Sequence, residues 1–383
     1  MASKIPLDNV CEKKIETLSS QYDGEIEYVD ISSIDNNEKI ISNTQIINAK
    51  EAPSRAKQLV KIGDVLVSTV RPNLNAVAMI KKESNLILVA STGYCVLRCN
   101  GKVDNHYIFY FCQSPYFIDN MVRQATGASY PAVSNFIVKS CLFPAHNLKH
   151  QREIASILDK LRDLIFLRKQ QLAKLDELVK ARFVEMFGDL SINSMGWEFQ
   201  KLSSLCDVRD GTHDSPEYQN EGYPLLTSKN FSSGIIDFSD CNLICEEDFE
   251  MINRRSKVDY GDIIMPMIGT IGHPVIVDTD RPFAIKNVAL IKFNNKEISN
   301  IFVKTVLDSD YFLNVTTANN RGGTQKFIAL GDIRNIPIPI VPKELQIEFA
   351  DFVKEVDRQK LTIQQSLDKL EVLRKSLMQE YFG

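Results

Sequence analysis

The 383-residue sequence predicts an α+β protein: two β-rich globular bodies separated by two long antiparallel helices, its halves related by a pseudo-two-fold internal repeat. Three observations carry this expectation. QLAKLDELVKARFVEMFG at 171–188 returns as SLDKLEVLRKSLMQEYFG at 366–383. Leu172, Lys174, Leu175, Leu178, Lys180, Glu185, Phe187 and Gly188 are matched by Leu367, Lys369, Leu370, Leu373, Lys375, Glu380, Phe382 and Gly383, all at an offset of 195. Ahead of each copy stand short β-branched runs broken by Gly, Pro and Asn, which read as strands and turns. Each copy also closes a stretch with a strict seven-residue apolar period, the mark of helices that pair.

Taken in order, the first body covers 1–147, with DVLVSTV, LILVA and YCVLRC as its strand runs. A helical region follows at 148–188. The second body, 189–342, carries GDIIMPMIGTIGHPVIV and FAIKNVALIKF, and a second helical region fills 343–383. Pro342 suits the first turn of the second helix, and Gly188 and Gly383 suit the two C-terminal ends. Each helix would be about 55–60 Å long at 1.5 Å per residue. Leu158, Ile165, Leu172, Val179 and Met186 recur every seven residues in the first helix, and Phe349, Val356, Ile363, Leu370 and Leu377 in the second. With Leu161 and Leu175 they form the expected pairing faces. Arg168, Arg182, Lys360 and Arg374 interrupt the companion lines, as a wetter flank or a partner surface would.

The repeat extends beyond the helices. IPLDNVC at 5–11 aligns with QKLSSLC at 200–206, and ATGASYPAVSNFIVKSCLFP at 125–144 with NRGGTQKFIALGDIRNIPIP at 320–339. Gln151 then meets Gln346. Between these anchors GDVLVSTV at 63–70 resembles GDIIMPMI at 261–268, but the offset has drifted to 198. The ends of the halves match while their middles diverge. A period this long marks a duplicated domain rather than a solenoid.

Composition excludes several classes. A hydrophobic share of 44% and a charged share of 25% are those of a globular protein. No run reaches the ~18 apolar residues of a membrane span, and the N-terminal segment has no apolar signal core, so a cytoplasmic location is expected. The net charge of −4 argues against coating nucleic acid by bulk attraction. Residues 1–149 nevertheless carry 16 Lys and Arg against 14 Asp and Glu, so a nucleic-acid footprint would be a local patch. Cys95/Cys99 and Cys241/Cys245 are each four apart, but neither pair has the second pair that completes a tetrahedral metal site. On a strand such residues share a face and serve as small core groups. The five histidines are scattered; only His146 and His150 share a helical spacing, at a helix start. No metal is expected.

The layout and the motifs GDVLVSTVRPNLNAVAMI, STGYCVLR, GTHDSPEYQNEGYPLLTSKNF, GDIIMPMIGTIGHPVIV and FAIKNVALIKF resemble the specificity subunit of Type I restriction–modification systems, over essentially the whole chain. QREIASILD at 151–159 is similar to the start of that family's first long helical region. The resemblance implies two target recognition domains, each reading one half of a bipartite sequence in double-stranded DNA. It implies two helices that set the spacer and dock two methyltransferase subunits, and through them restriction subunits. It also implies no catalytic centre, with S-adenosylmethionine, ATP and Mg on the partner subunits only. The sequence has no Asn/Asp-Pro-Pro-Tyr/Phe, no G-x-G-x-x-G and no G-x-x-x-x-G-K-[ST].

Base reading needs Arg, Lys, Asn, Gln, Ser or Thr on loops that can enter a groove. The first body offers Arg71, Asn73 and Asn75 on a Pro-turned loop, and Ser129 and Tyr130 on a glycine-containing one. The second offers Thr212 and His213, then Ser228, Lys229 and Asn230, then Lys286 and Asn287. Arg321, Thr324, Gln325 and Lys326 combine cations and an amide beside paired glycines. A reading from another class remains open on these residues alone: a coiled-coil scaffold whose two heads bind protein or glycan. Salt-sensitive binding to bipartite DNA separates the two.

Overall fold

The structure, a computed structural model, describes residues 3–231, 234–268, 272–293, 297–317 and 328–383. It divides into two compact units, Met1–Gln170 with Gln364–Gly383, and Gln171–Ile363.

In chain order the first half contributes β1 (Lys4–Pro6), β2 (Glu25–Val29), β3 (Ile34–Asp35), β4 (Ile40–Ile41), β5 (Gln45–Asn48), β6 (Ala56–Leu59), β7 (Val65–Ser68), β8 (Val77–Met79), β9 (Ile87–Ser91) and β10 (Tyr94–Leu97). Helices α1 (Asn105–Phe111), α2 (Pro115–Gln124) and α3 (Asn135–Ser140), β11 (Leu142–Pro144) and α4 (Leu148–Phe187) follow. β10, β7 and β8 form an antiparallel sheet in that order. Val65 and Val67 face a core built with α1–α3, while Leu66 faces a second core with Val29 and Ile34. Both faces are covered, which is why this strand reads as an unbroken apolar run. A smaller sheet, β5-β2-β9-β6, pairs β2 with β9 in parallel and β9 with β6 antiparallel.

The second half contributes β12 (Phe199–Lys201), α5 (Leu202–Leu205), β13 (Asp207–Asp210), β14 (Tyr223–Leu226), β15 (Asn242–Ile244), α6 (Glu246–Ser256), β16 (Ile263–Pro266), β17 (Val275–Ile276), β18 (Ala284–Ile285) and β19 (Val288–Lys292). It closes with α7 (Asn300–Leu307), α8 (Asp310–Thr317), α9 (Leu330–Arg334), β20 (Pro337–Pro339) and α10 (Lys343–Phe382). The repeat is visible bond by bond. Lys4 opposes Pro144 in β1–β11, and Phe199 opposes Pro339 in β12–β20, both at the 195 offset. β14 has an antiparallel neighbour, β15, and a parallel one, β18, as β2 has β5 and β9. Where the first unit then adds β6 against β9, the second sets α6 against β18.

Matched residues turn out to be structural ties. Buried Gln151 accepts from the Asp104 amide at 2.9 Å and donates to His146 O at 2.6 Å. Buried Gln346 does the same with the Ser299 amide (2.8 Å) and Val341 O (3.0 Å). The Gly-Asp motifs place Gly63 and Gly261 at φ +86 and +85, a region glycine enters without strain. Their aspartates hold buried ion pairs: Asp64 with Arg98 at 2.7 Å, and Asp262 with Lys292 at 2.7 Å.

The long helices explain the duplicated segment. In the first unit the opening turns of α4 (Ile154, Leu158) share a core with the last turns of α10 (Met378, Phe382). In the second, the last turns of α4 (Phe183, Phe187) share a core with the first of α10 (Phe349). The segments run antiparallel in each. Phe382 lies 5.1 Å from the Tyr107 ring, and Phe187 lies 4.9 Å from Phe302, the residue 195 beyond Tyr107. Each copy of the segment therefore ends by plugging a body. Gly188, at φ +78, then terminates α4 in the left-handed conformation.

Of the pairing residues, Leu158, Leu161, Ile165, Phe349 and Val356 are buried, and Leu172, Leu175, Val179, Ile363, Leu370 and Leu377 are half-buried. Two interrupting cations link the helices within the second unit: Arg182 meets Glu348 at 2.7 Å, and Lys360 pairs with Asp176. All eight cysteines are free. Among the described residues no group of His, Cys, Asp or Glu could hold a metal, and no helix is long and apolar enough to cross a membrane.

Candidate nucleic-acid interface

In the first unit two loops far apart in sequence converge beyond the end of β7. Arg71 (φ +50) and Asn75 (φ +47) both adopt the left-handed region, flanking a single turn at Pro72–Leu74. Non-glycine residues there store of order 1–3 kcal/mol each, and such strain clusters at functional loops. The loop is held by the Arg71 amide donating to Pro131 O (2.7 Å) and the Val133 amide donating to Thr69 O (2.9 Å). The Arg71 guanidinium lies 4.8 Å over the exposed Tyr130 ring. Gly127 makes the close turn possible, since a Cβ there would sit 2.9 Å from Tyr130 O. Arg71, Asn73, Ser129 and Tyr130 are exposed. Asn75 is buried, and its amide donates to Cys112 O at 2.8 Å.

Two groups here were missed at the sequence level. Phe136 is 79% exposed at the start of α3, where an apolar side chain has no core to join. Lys39 reaches Asn75 O from the β3–β4 turn, and burial, with Arg374 nearby, pushes its pKa down to about 8. A lone Lys in a polar turn gives no sign of either.

In the second unit Gly211 follows β13, and a Cβ there would lie 2.4 Å from Ile285 O, so only glycine allows the approach. Thr212 donates its amide to Ile285 O (3.0 Å), and its own carbonyl accepts from the Asn287 amide (3.1 Å). This brings Thr212, His213, Lys286 and Asn287 together. His213 Nδ1 is 2.8 Å from Asn287 Oδ1 and Nε2 is 2.9 Å from Asp210 Oδ2. Lys286 Nζ contacts Ser215 Oγ. Arg255, at the end of α6, pairs with the other oxygen of buried Asp210. Sequence reasoning passed over Arg255, although the run RRSK at 254–257 was the available signal.

Ser228, Lys229 and Asn230 form a turn after β14, whose Leu226 O accepts from the Lys286 amide at 2.9 Å. Asn230 is buried: Oδ1 accepts from the Thr227 amide (3.0 Å), and Nδ2 donates to Asp237 O (3.0 Å) and Asp240 O (3.1 Å). Lys229 is exposed and 3.2 Å from Asp240. Arg321, Thr324, Gln325 and Lys326 lie outside the described residues.

Asn287 and then Asp210 raise the His213 pKa, against a little burial and the charge of Arg255. Its folded value thus lies above the unfolded one. The resulting stability is complete below the unfolded value of about 6.5 and is lost as pH climbs through the folded value. The second unit should therefore lose urea resistance across that rise. Comparing its urea midpoints with those of His213→Gln checks this, since the part of the loss due to His213 must vanish in the variant.

The chain matches the family model described as Type I restriction modification DNA specificity domain twice, over residues 4–177 and 195–372, and belongs to that family. It is a DNA-recognition subunit without catalysis of its own. Among curated relatives it is similar to the MjaVIII specificity subunit of Methanocaldococcus jannaschii, 23% identical over 339 residues, covering 84% of this chain and 78% of that one. The HindI specificity subunit of Haemophilus influenzae is 26% identical over 150 residues, covering 38% and 32%. The S subunit of a Type I restriction–modification system from M. genitalium superposes with a TM-score of 0.60 at 16% identity, over 100% of this chain and 96% of that one. A chain from a study of complex assembly and conformational transition of the type I R-M system gives 0.60 at 21%, over 99% and 97%. At these identities the structural likeness speaks for the fold alone.

Proposed function

We propose that this chain selects a bipartite duplex target, one half-site through each body, and delivers adenine methyltransferase subunits to it. The body at 1–147 reads one half with Arg71, Asn73, Ser129 and Tyr130. The body at 189–342 reads the other with Thr212, His213, Lys229, Lys286 and Asn287. The observation that carries this is one fold written twice, each copy presenting an exposed polar loop cluster of different composition. An Arg stacked on Tyr is preset to fork onto guanine O6 and N7. Asn75 and Asn230 hold their loops. The helical regions 148–188 and 343–383 set the spacer and dock two methyltransferase subunits. Exposed Ile157, Leu164, Leu167, Val372 and Leu373 supply apolar surface for that docking. Restriction subunits join through the methyltransferases, and S-adenosylmethionine, ATP and Mg belong to those partners.

The test is a map of N6-methyladenine in the host genome. Deleting the gene should erase one motif, two short specified blocks with a fixed gap, and Arg71→Ala should relax one block while leaving the other intact. A map unchanged on deletion in a strain with active partner subunits would overturn this reading.

A further inference from the structure

The two bodies diverge most where the first has β6 and the second α6. β6 is committed to structure: it pairs with β9, and Gln58 donates inward to Ser91 O (2.8 Å) and Tyr94 O (2.9 Å). α6 occupies the equivalent place beside β18, bringing a basic last turn to the Thr212–Asn287 cluster. We infer that the C-terminal end of α6, through Arg254 and Arg255 of its last turn and Lys257 just beyond it, grips the DNA backbone phosphates beside the second half-site. Among the described residues of the first body, the place beside β9 is filled by β6 instead of a helix. This rests on the DNA reading above and adds to it a sequence-independent clamp.

The geometry supports phosphate contact rather than helix stabilisation. Cations near a helix C-terminus favour the helix dipole, but that end already has a partner. Arg209 Nη1 donates to Arg255 O at 2.9 Å, and Arg209 is itself paired with Asp207. The turn is thus latched to β13 without Arg254, which is exposed and makes no ion pair among the described residues. Arg255 and His213 take separate oxygens of Asp210, so a guanidinium and an imidazole stand on one buried carboxylate. Lys257 is 69% exposed and keeps Asp259 at 3.0 Å. Glu246, Glu247 and Asp248 occupy the opposite end of the helix. That polarity sets the basic end toward a duplex and the acidic end away from it.

The full-length chain is titrated with a fluorescein-labelled random-sequence 30-base-pair duplex across a salt series. Removing one phosphate contact lowers the log–log salt slope by about 0.9, and hence affinity by about eightfold at 0.1 M salt. Arg254→Ala should show both changes with its thermal midpoint unmoved, and Arg254→Lys should restore most of the slope. The methylation motif should be the same in all three proteins. Steep binding by the parent chain with an identical slope in Arg254→Ala would overturn the clamp and leave the DNA reading standing. A folded parent chain without salt-dependent duplex binding would overturn both.

Discussion

Phe382→Ala should destabilise the first unit by about 3–5 kcal/mol, the usual cost of truncating a fully buried Phe. The side chain is 0% exposed and packs against Tyr107 and Phe111, with ring centroids 5.1 and 6.0 Å away. The sole tryptophan makes the test selective. Trp197 packs against the core of the second unit and donates to Phe187 O at 2.8 Å. In urea, Phe382→Ala should shift an early circular-dichroism transition by about 1–2 M while the Trp197 fluorescence transition stays near its parent midpoint. Phe187→Ala should do the reverse, and Leu361→Ala, at a 60% exposed position, should move neither. If Phe382→Ala moved the Trp197 transition as far as Phe187→Ala does, separate plugging of two cores would be wrong.

This explains what the duplicated segment conceals. Its heptad period made helix pairing legible, and both forty-residue helices stand where the sequence put them. An apolar residue on a helix does not name its partner, however, so Phe187 and Phe382 read as the ends of a seam rather than as members of two bodies. The strands were legible wherever both faces are buried, as in DVLVSTV. The exchange of β6 for α6 was not, because offset matching fails in diverged segments and a helix can take a strand's place beside the same neighbour. Asn75 and Asn230 looked like base readers for a good reason. Asn is at home in loops and in the left-handed region, but its paired donor and acceptor also satisfy buried backbone, which only the fold reveals. Arg71 and Tyr130 were each visible; their stacking depends on a Pro131–Arg71 bond between loops some 60 residues apart.

The largest effect from a single charge should come from Asp64→Ala. Asp64 is 1% and Arg98 9% exposed at the side chain, and the guanidinium forks onto the carboxylate with Nε and Nη2 at 2.9 and 2.7 Å. Removing Asp64 leaves the buried Arg98 charge with only the half-exposed Glu12 carboxylate, 3.7 Å away, and breaking a buried pair in this way costs about 3–5 kcal/mol. Asp64 also accepts from the Lys61 amide at 2.9 Å, so part of the loss is the turn that enters β7. Replacing both partners by apolar residues of similar volume, Asp64→Leu with Arg98→Met, should recover most of the stability, because desolvation of the pair is removed with its attraction. The second unit solves the same problem with different geometry. Lys292 divides its donors among Asp262 (2.7 Å), Asp259 (2.8 Å) and Lys257 O (2.9 Å), a tripod that a planar fork cannot copy. Arg98→Lys and Lys292→Arg should therefore both destabilise although each keeps its charge and each reproduces the other half's residue. Urea midpoints of the four proteins decide it: an Asp64→Ala midpoint within error of the parent, or a harmless Arg98→Lys, would mean that the shared Gly-Asp motif is not held in place by its ion pair.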